Sequence, residues 1–153
     1  MRRLRKFVRL PATSRRLLLE AALLLGGTKL GLRLFPFQTL LRFLEKLAKK
    51  LAKASAGLPE IDQSSVKRIV WAVELAGQYL PWVRTCLTQA LAAQFLLVRE
   101  GHPALVHIGV VREEGEGFLA HAWVESEGEV VIGGRGHELD RYVPLVALQG
   151  ESS

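Results

Sequence analysis

The alternation of apolar and polar positions divides the chain into helices followed by strands. Apolar residues recur at helical spacing near Ser14, across residues 36–55, across residues 65–80 and again from Thr85 onward. After Pro103 the pattern becomes typical of strands, in ALVHIGVVR, GFLAHAWVES and EVVIGG, with RYVPLVAL as an edge strand. We therefore predict an α+β fold in which N-terminal helices precede a small antiparallel sheet.

Capping residues predict where these helices begin and end. The Gly26-Gly27 pair predicts the end of the first helix, and Pro36 is well placed to open the second. Thr85 can accept a hydrogen bond as an N-cap, which places Cys86 in the first turn of the last long helix. Gly101 suits the C-terminal cap of that helix, and Pro103 prevents its continuation.

The net charge of +6 is unevenly distributed along the chain. Residues 1–55 hold fourteen Lys and Arg against two acidic residues, whereas residues 56–153 hold seven against thirteen. This split predicts a basic helical arm, residues 1–56, and a separate core, residues 57–150. A basic amphipathic arm suits an acidic protein, an acidic peptide or a membrane surface. The low aromatic content of 7% argues against a nucleic-acid partner.

The first 27 residues have the basic head and apolar stretch of a signal peptide, but other features oppose that interpretation. Glu20 interrupts the apolar stretch, Lys29 and Arg33 follow it, and no small-residue cleavage site closes it. The single cysteine excludes a disulfide within the chain and fits a reducing compartment. We expect a cytoplasmic protein whose basic arm contacts a membrane peripherally.

Cys86 and His121 are the candidates for chemistry. Unpaired backbone N–H groups and the helix dipole at a helix N-terminus favour a thiolate and can also stabilise an oxyanion. A cysteine nucleophile needs a base, and His121 lies on a later strand, on the same face as Trp123 and Glu125. His107, in the preceding strand, is the competing base.

Residue types and spacing alone leave these assignments open. A lone cysteine among apolar neighbours is also the pattern of a small buried hydrophobic residue, and a strand histidine is also a common core residue. We expect the other two histidines, His102 in a turn and His137 in a polar loop, to be exposed. The four histidines lack metal-ligand spacing, and no metal or cofactor is expected.

Three segments together resemble a known family. The stretch CLTQALAAQFLLVREGHPALVHIGV, followed by HAWVE and VVIGG, is similar to the peptidase of lasso-peptide biosynthesis, the B protein, in its split form. That family is itself similar to the transglutaminase-like and papain-like cysteine peptidases. The resemblance covers roughly residues 60–147, and the basic arm resembles the N-terminal part of such proteins.

The resemblance implies a function and a set of partners. Cys86 would be the nucleophile and His121 the general base of a peptidase that removes the leader from a ribosomally made precursor, near a threonine. The implied partners are the precursor, a small leader-binding protein and a separate ATP-dependent macrocyclase. The implied chemistry uses no cofactor.

One position departs from the family pattern. Relatives commonly place an aspartate about a dozen residues after the histidine, where it orients the imidazole, but this chain has Gly133 and Gly134 there. Asp140 is our favoured third member, with Glu138 and Glu125 as substitutes. A dyad oriented by a backbone carbonyl or an amide is an equal alternative.

Two other functions remain open. The scaffold could bind a peptide without cutting it, an alternative that the glycine at position 133 motivates. The chain could also be a basic membrane-surface protein whose arm makes the contact.

Overall fold

The computed structural model describes residues 8–54, 63–134 and 136–149, and it confirms the predicted α+β fold. Long helices occupy the N-terminal half, and a four-stranded antiparallel sheet follows. The helices are α1 (Ala12–Leu34), α2 (Phe37–Ala54), α3 (Gln63–Tyr79), α4 (Cys86–Arg99) and α5 (Gly136–Leu139), and the strands are β1 (Leu105–Glu113), β2 (Gly117–Ser126), β3 (Glu129–Ile132) and β4 (Val143–Gln149).

The strands pair in the order β3-β2-β1-β4. A two-residue turn joins β2 to β3, with Glu127 at φ 54° and Gly128 at φ 83°, the left-handed conformations that a tight hairpin requires. The predicted strand RYVPLVAL forms β4 at the sheet edge, paired with β1. Pro144 in this strand is tolerated because an edge strand leaves one row of backbone groups without a partner.

Helix α4 lies at the centre of the hydrophobic core. Nine of its residues are buried, and it packs against α1, α2 and α3 as well as against the sheet. One face of the sheet meets this core through a set of buried aliphatic side chains, whereas the opposite face carries His107, His121 and Trp123. The buried aliphatic residues on the sheet include Val106, Ala122, Val124 and Ile132.

The prediction that Gly26-Gly27 ends the first helix is wrong, because α1 continues to Leu34. Its buried stripe runs without a break from one side of the glycine pair to the other. Each glycine costs about 1 kcal/mol of helix propensity relative to alanine, and continuous burial offsets that cost. The stripe consists of Leu18, Ala21, Leu25, Thr28 and Gly31.

The helices of the predicted arm contribute to the same core as the rest of the chain. Both α1 and α2 pack on α4, while the predicted boundary at residue 56 lies outside the described residues. An ion pair also joins α1 to α4, with Arg99 Nη2 2.8 Å from Glu20 Oε2. Burial alone would raise the pKa of Glu20, but hydrogen bonds from Arg99 and Arg16 outweigh burial and lower it.

No helix within the described ranges combines the length and the apolar character needed to cross a bilayer.

Candidate active site

Helix α4 begins at Cys86, as the sequence predicts, and a reciprocal pair of threonines holds its first turn. The Thr88 backbone N–H donates to Thr85 Oγ1 at 3.2 Å, and the Thr85 backbone N–H donates to Thr88 Oγ1 at 3.0 Å. The fully buried Thr88 hydroxyl also donates to the Val83 carbonyl at 2.7 Å. This capping box fixes the path of the chain immediately before the cysteine.

The capping arrangement leaves backbone donors beside the thiol. Thr85 O accepts the first intrahelical bond, from Gln89 N, and the Thr85 hydroxyl accepts from Thr88 N. The N–H groups of Cys86 and Leu87 occupy the first two helical positions, which have no acceptor within a helix. The half-buried Cys86 therefore lies where the helix dipole and nearby N–H groups favour negative charge.

His121 lies on β2 in a cluster of aromatic rings. Its ring centroid is 5.3 Å from that of Tyr142 and 6.2 Å from that of Trp123. The residue opposite His121 on β1 is Gly109, where a Cβ would come within 2.9 Å of Tyr142 Cβ and 3.0 Å of the Trp123 ring. The absence of a side chain at Gly109 therefore gives the rings room to pack beside the histidine.

A main-chain carbonyl is the hydrogen-bond partner of the His121 ring. Nε2 of His121 is bonded to Gly133 O, and because a carbonyl oxygen only accepts, Nε2 carries the hydrogen. The neutral ring then presents an unprotonated Nδ1. Gly133 has φ +95°, and a Cβ there would lie 2.7 Å from Ala122 O, so only glycine fits this path.

Cys86 and His121 line the same cavity, of about 220 Å³. Arg84 and Gln89 also line it, and Gly133 lies at its border with a second cavity. That second cavity, of about 470 Å³, shares His121 and Gly133 with the first and extends towards Tyr142. The thiol and imidazole thus lie at a site with open volume on either side of the histidine.

The structure does not bring Asp140 to His121. The Asp140 side chain is 81% exposed and its carboxylate lies 4.0 Å from Nδ1 of His137, which is itself exposed as predicted. Of the two substitutes, Glu138 lines the second cavity, whereas Glu125 lies beside His107, with Oε2 3.1 Å from Nε2. Among the described residues, the hydrogen-bond partner of the imidazole is the carbonyl of Gly133.

The competing base, His107, has a different setting from His121. It stacks on Trp123, with ring centroids 5.4 Å apart, and its approach to Glu125 lacks the alignment of a hydrogen bond. His107 is absent from the described residues that line the two cavities. Of the two histidines, His121 is therefore the one that shares a cavity with Cys86.

The prediction that His102 is exposed is wrong. Its side chain is buried, and Nε2 lies 2.7 Å from Ser65 Oγ on α3. The helix end folds back at Gly101, which has φ +89°, and carries His102 against α3. The partner is 37 positions away in the sequence, so a turn-like local pattern does not reveal it.

Sequence reasoning missed several residues of the site, including Gln89, Arg84 and Tyr142. Gln89 lies one helical turn after Cys86, so the spacing of α4 could have identified it. Arg84, two residues before the cysteine, could have been suggested by adjacency alone. Tyr142 reaches His121 through the pairing of β4 with β1, and the sequence predicts the strand but not its partner.

No group of three or more His, Cys, Asp or Glu side chains in the described part of the chain is arranged to hold a metal ion. The donors at the site suit a covalent mechanism instead: a thiol, an imidazole and backbone N–H groups.

Comparison with protein families adds an independent observation to this geometry. Residues 31–147 match the family model described as the Transglutaminase-like superfamily, and the match spans well over half of the chain. Comparisons with curated proteins and with solved structures gave no match. The matched region runs from the end of α1 through β4 and includes both Cys86 and His121. The chain therefore belongs to the transglutaminase-like superfamily.

Proposed function

We propose that this protein is a cysteine peptidase that removes the leader from a lasso-peptide precursor, with Cys86 as nucleophile and His121 as general acid and base. The observation that carries the proposal is that both side chains line one cavity, with the cysteine at a helix N-terminus. Membership of a superfamily that includes cysteine peptidases supports the reaction class. The residues that resemble the lasso-peptide B protein support the substrate.

In the first half of the reaction, His121 Nδ1 takes the thiol proton and Cys86 Sγ attacks the scissile carbonyl carbon. The backbone N–H groups of Cys86 and Leu87 stabilise the oxyanion of the tetrahedral intermediate. The C–N bond then breaks, Nδ1 delivers its proton to the departing amine, and the leader stays bound to Sγ as a thioester. The released amine is the new N-terminus of the core peptide.

In the second half, water attacks the thioester carbonyl and gives a proton to His121 Nδ1. The C–S bond breaks, the leader leaves with a new carboxylate, and the thiol of Cys86 is restored. The net reaction consumes one water per peptide bond and needs no cofactor. A separate ATP-dependent macrocyclase would use the freed amine.

The Gly133 carbonyl takes the orienting role that an aspartate has in relatives. It holds the Nε2–H of His121, so that Nδ1 is the nitrogen available to the thiol. Unlike a carboxylate, it carries no full charge to stabilise the imidazolium. A peptide substrate would pass through the two cavities that meet at His121 and Gly133.

Alkylation of the thiol tests the reaction class. Cys86 is the only cysteine, so a mass increase after iodoacetamide treatment reports this residue alone. We expect labelling of the folded protein at pH 6 to be faster than labelling of the same protein unfolded in denaturant, because only the fold places His121 in the same cavity, where it can accept the thiol proton. Slower labelling of the folded protein would favour a non-catalytic peptide-binding module.

Cleavage of a lasso-peptide precursor, with its leader-binding protein present, tests the substrate. We expect Cys86→Ala to lower the rate by about a thousandfold or more, because nucleophile loss removes the covalent route. Mass spectrometry of the two fragments follows the reaction. Cleavage by Cys86→Ala at the wild-type rate would refute the peptidase proposal. Rapid labelling of Cys86 with no precursor cleavage would still support a reactive cysteine enzyme but would contradict the lasso-peptide precursor as its substrate.

A further inference from the structure

Helices α1 and α2, with the connection between them, carry a surface of large apolar side chains outside the cysteine cavity. Each of these side chains is more than half exposed, although isolated exposed leucines are otherwise unremarkable on a protein surface. We call this surface the apolar face. It consists of Leu19, Leu23, Leu30, Leu34, Phe35 and Phe43.

The helical repeat explains why these side chains form one continuous surface. Leu19, Leu23, Leu30 and Leu34 are separated by four, seven and four positions, so they project from one side of α1. Phe43 meets this row from α2, across a groove of about 340 Å³. Apart from the hydroxyl of Thr39, the side chains that line the groove are apolar.

Cationic side chains surround the apolar face. Lys29 and Arg33 lie beside its leucines on α1, and Arg42, Lys46 and Lys50 lie beside Phe43 on α2. Residues 8–54 contain only two acidic residues. One of them is Glu20, whose carboxylate forms ion pairs with Arg16 at 2.9 Å and Arg99 at 2.8 Å. These two cations neutralise its charge.

We propose that the apolar face binds the surface of an anionic lipid bilayer, with α1 and α2 lying in the plane of the membrane. Exposed leucine and phenylalanine side chains with flanking lysines and arginines are the pattern of interfacial helices, which combine apolar burial with attraction to anionic headgroups. The scarcity of polar groups in the groove favours lipid over protein. Protein interfaces carry about one hydrogen bond per 100–200 Å², whereas the described residues that line this groove offer one side-chain hydroxyl.

This contact is independent of the peptidase reaction. Within the described part of the chain, the cysteine cavity and the apolar face share no residue, so a variant of the face can lose membrane binding and keep its thiol chemistry. The face would hold the enzyme at a bilayer while the cavity remains open to a peptide.

Vesicle co-sedimentation of the full chain tests the proposal. We expect binding to vesicles that contain phosphatidylglycerol, weaker binding to pure phosphatidylcholine, and weakening by added salt. The combined variant Leu23→Ser, Leu34→Ser and Phe43→Ser should bind about tenfold or more weakly, since it removes three apolar groups from the bilayer contact. Arg33→Glu with Lys46→Glu should remove the preference for anionic vesicles.

Phe118→Ser is the matched control. Phe118 is 75% exposed but lies on β2, away from α1 and α2, so its loss should leave vesicle binding unchanged. Circular dichroism would confirm that every variant remains folded, as expected from the exposure of the substituted side chains.

Three results would overturn the proposal. The wild-type chain could fail to sediment with anionic vesicles, the triple-serine variant could bind them as well as wild type does, or Phe118→Ser could weaken binding equally. If the wild-type protein does not bind vesicles, and the triple-serine variant no longer co-elutes with a leader-binding protein, the apolar face is part of a protein interface. Iodoacetamide labelling of Cys86 in the same variants keeps this outcome separate from a failure of the peptidase proposal.

Discussion

Two histidine rings stack on the Trp123 indole, and their other neighbours differ. His107 lies opposite Trp123 on β1, with its ring centroid 5.4 Å away and the ring planes 12° apart. His121 precedes Trp123 by two positions on β2, at 6.2 Å and 19°. Stacking is thus nearly the same for the two rings. His121 alone adds a main-chain carbonyl on one nitrogen and a cavity shared with Cys86.

The path of the backbone distinguishes the two histidines. His107 is paired on both sides, with Trp123 on β2 and Ala147 on β4, and a carboxylate of Glu125 is its polar neighbour. His121 lies beyond the point where β3 ends at Ile132, and the chain there turns through Gly133. The end of a strand leaves room for both the turn and the N-terminus of α4.

Substitution of each histidine by glutamine should give the largest contrast. We expect His121→Gln to lower the rate of precursor cleavage by about a thousandfold, because His121 is the general base among the described residues that line the cavity with Cys86. His107→Gln should stay within about threefold of wild type, since His107 touches neither cavity in the described residues. Equal losses in the two variants would contradict the assignment of His121 as the base.

Gly133→Ala tests the role of the main-chain carbonyl that holds His121. A Cβ at Gly133 would lie 2.7 Å from Ala122 O and 2.8 Å from Trp123 Cα, so the carbonyl that holds His121 must move. We expect cleavage to fall by about tenfold and the free energy of unfolding to fall by about 1–3 kcal/mol. Cleavage rates and denaturant unfolding of the purified variant measure both effects.

Gly128→Ala is the control for that variant. Gly128 also has positive φ, at 83°, but a Cβ there meets nothing within 4 Å. It should lose stability by about 1 kcal/mol, from the left-handed conformation alone, and keep its cleavage rate. A similar loss of activity in both variants would show that general destabilisation explains the effect of Gly133→Ala.

Asp140→Asn should have the smallest effect. The side chain is 81% exposed and is directed to His137, so we expect a cleavage rate within about twofold of wild type. A loss comparable with that of Gly133→Ala would restore Asp140 as the third member of the site. The measurement is the same precursor assay, at a pH where the wild-type rate is maximal.

Local patterns were sufficient for much of the fold and for half of the site. Thr85 and Cys86 were identified because a helix N-terminus depends on residues adjacent in sequence. The strands β2 and β3 follow from local patterns too, and the hairpin between them turns on the two adjacent residues Glu127 and Gly128. These features need only a few neighbouring residues to form, so a single sequence contains the information for them.

The remaining features depend on contacts between distant parts of the chain. The continuation of α1 through Gly26-Gly27 depends on burial against α3 and α4. The burial of His102 depends on Ser65, and the position of Tyr142 depends on how β4 pairs with β1. Periodicity and capping describe one segment at a time, and so they carry no information about these partners.

The acceptor that holds His121 is a main-chain atom of Gly133, and this affects how such a site can be recognised in a sequence. Every amino acid has a main-chain carbonyl oxygen, so the identity of the residue does not reveal this acceptor. The sequence specifies the backbone conformation instead, by placing glycine at position 133, where a larger residue would clash. A sequence search that requires an acidic residue at this position would miss any protein in which a main-chain carbonyl is the acceptor.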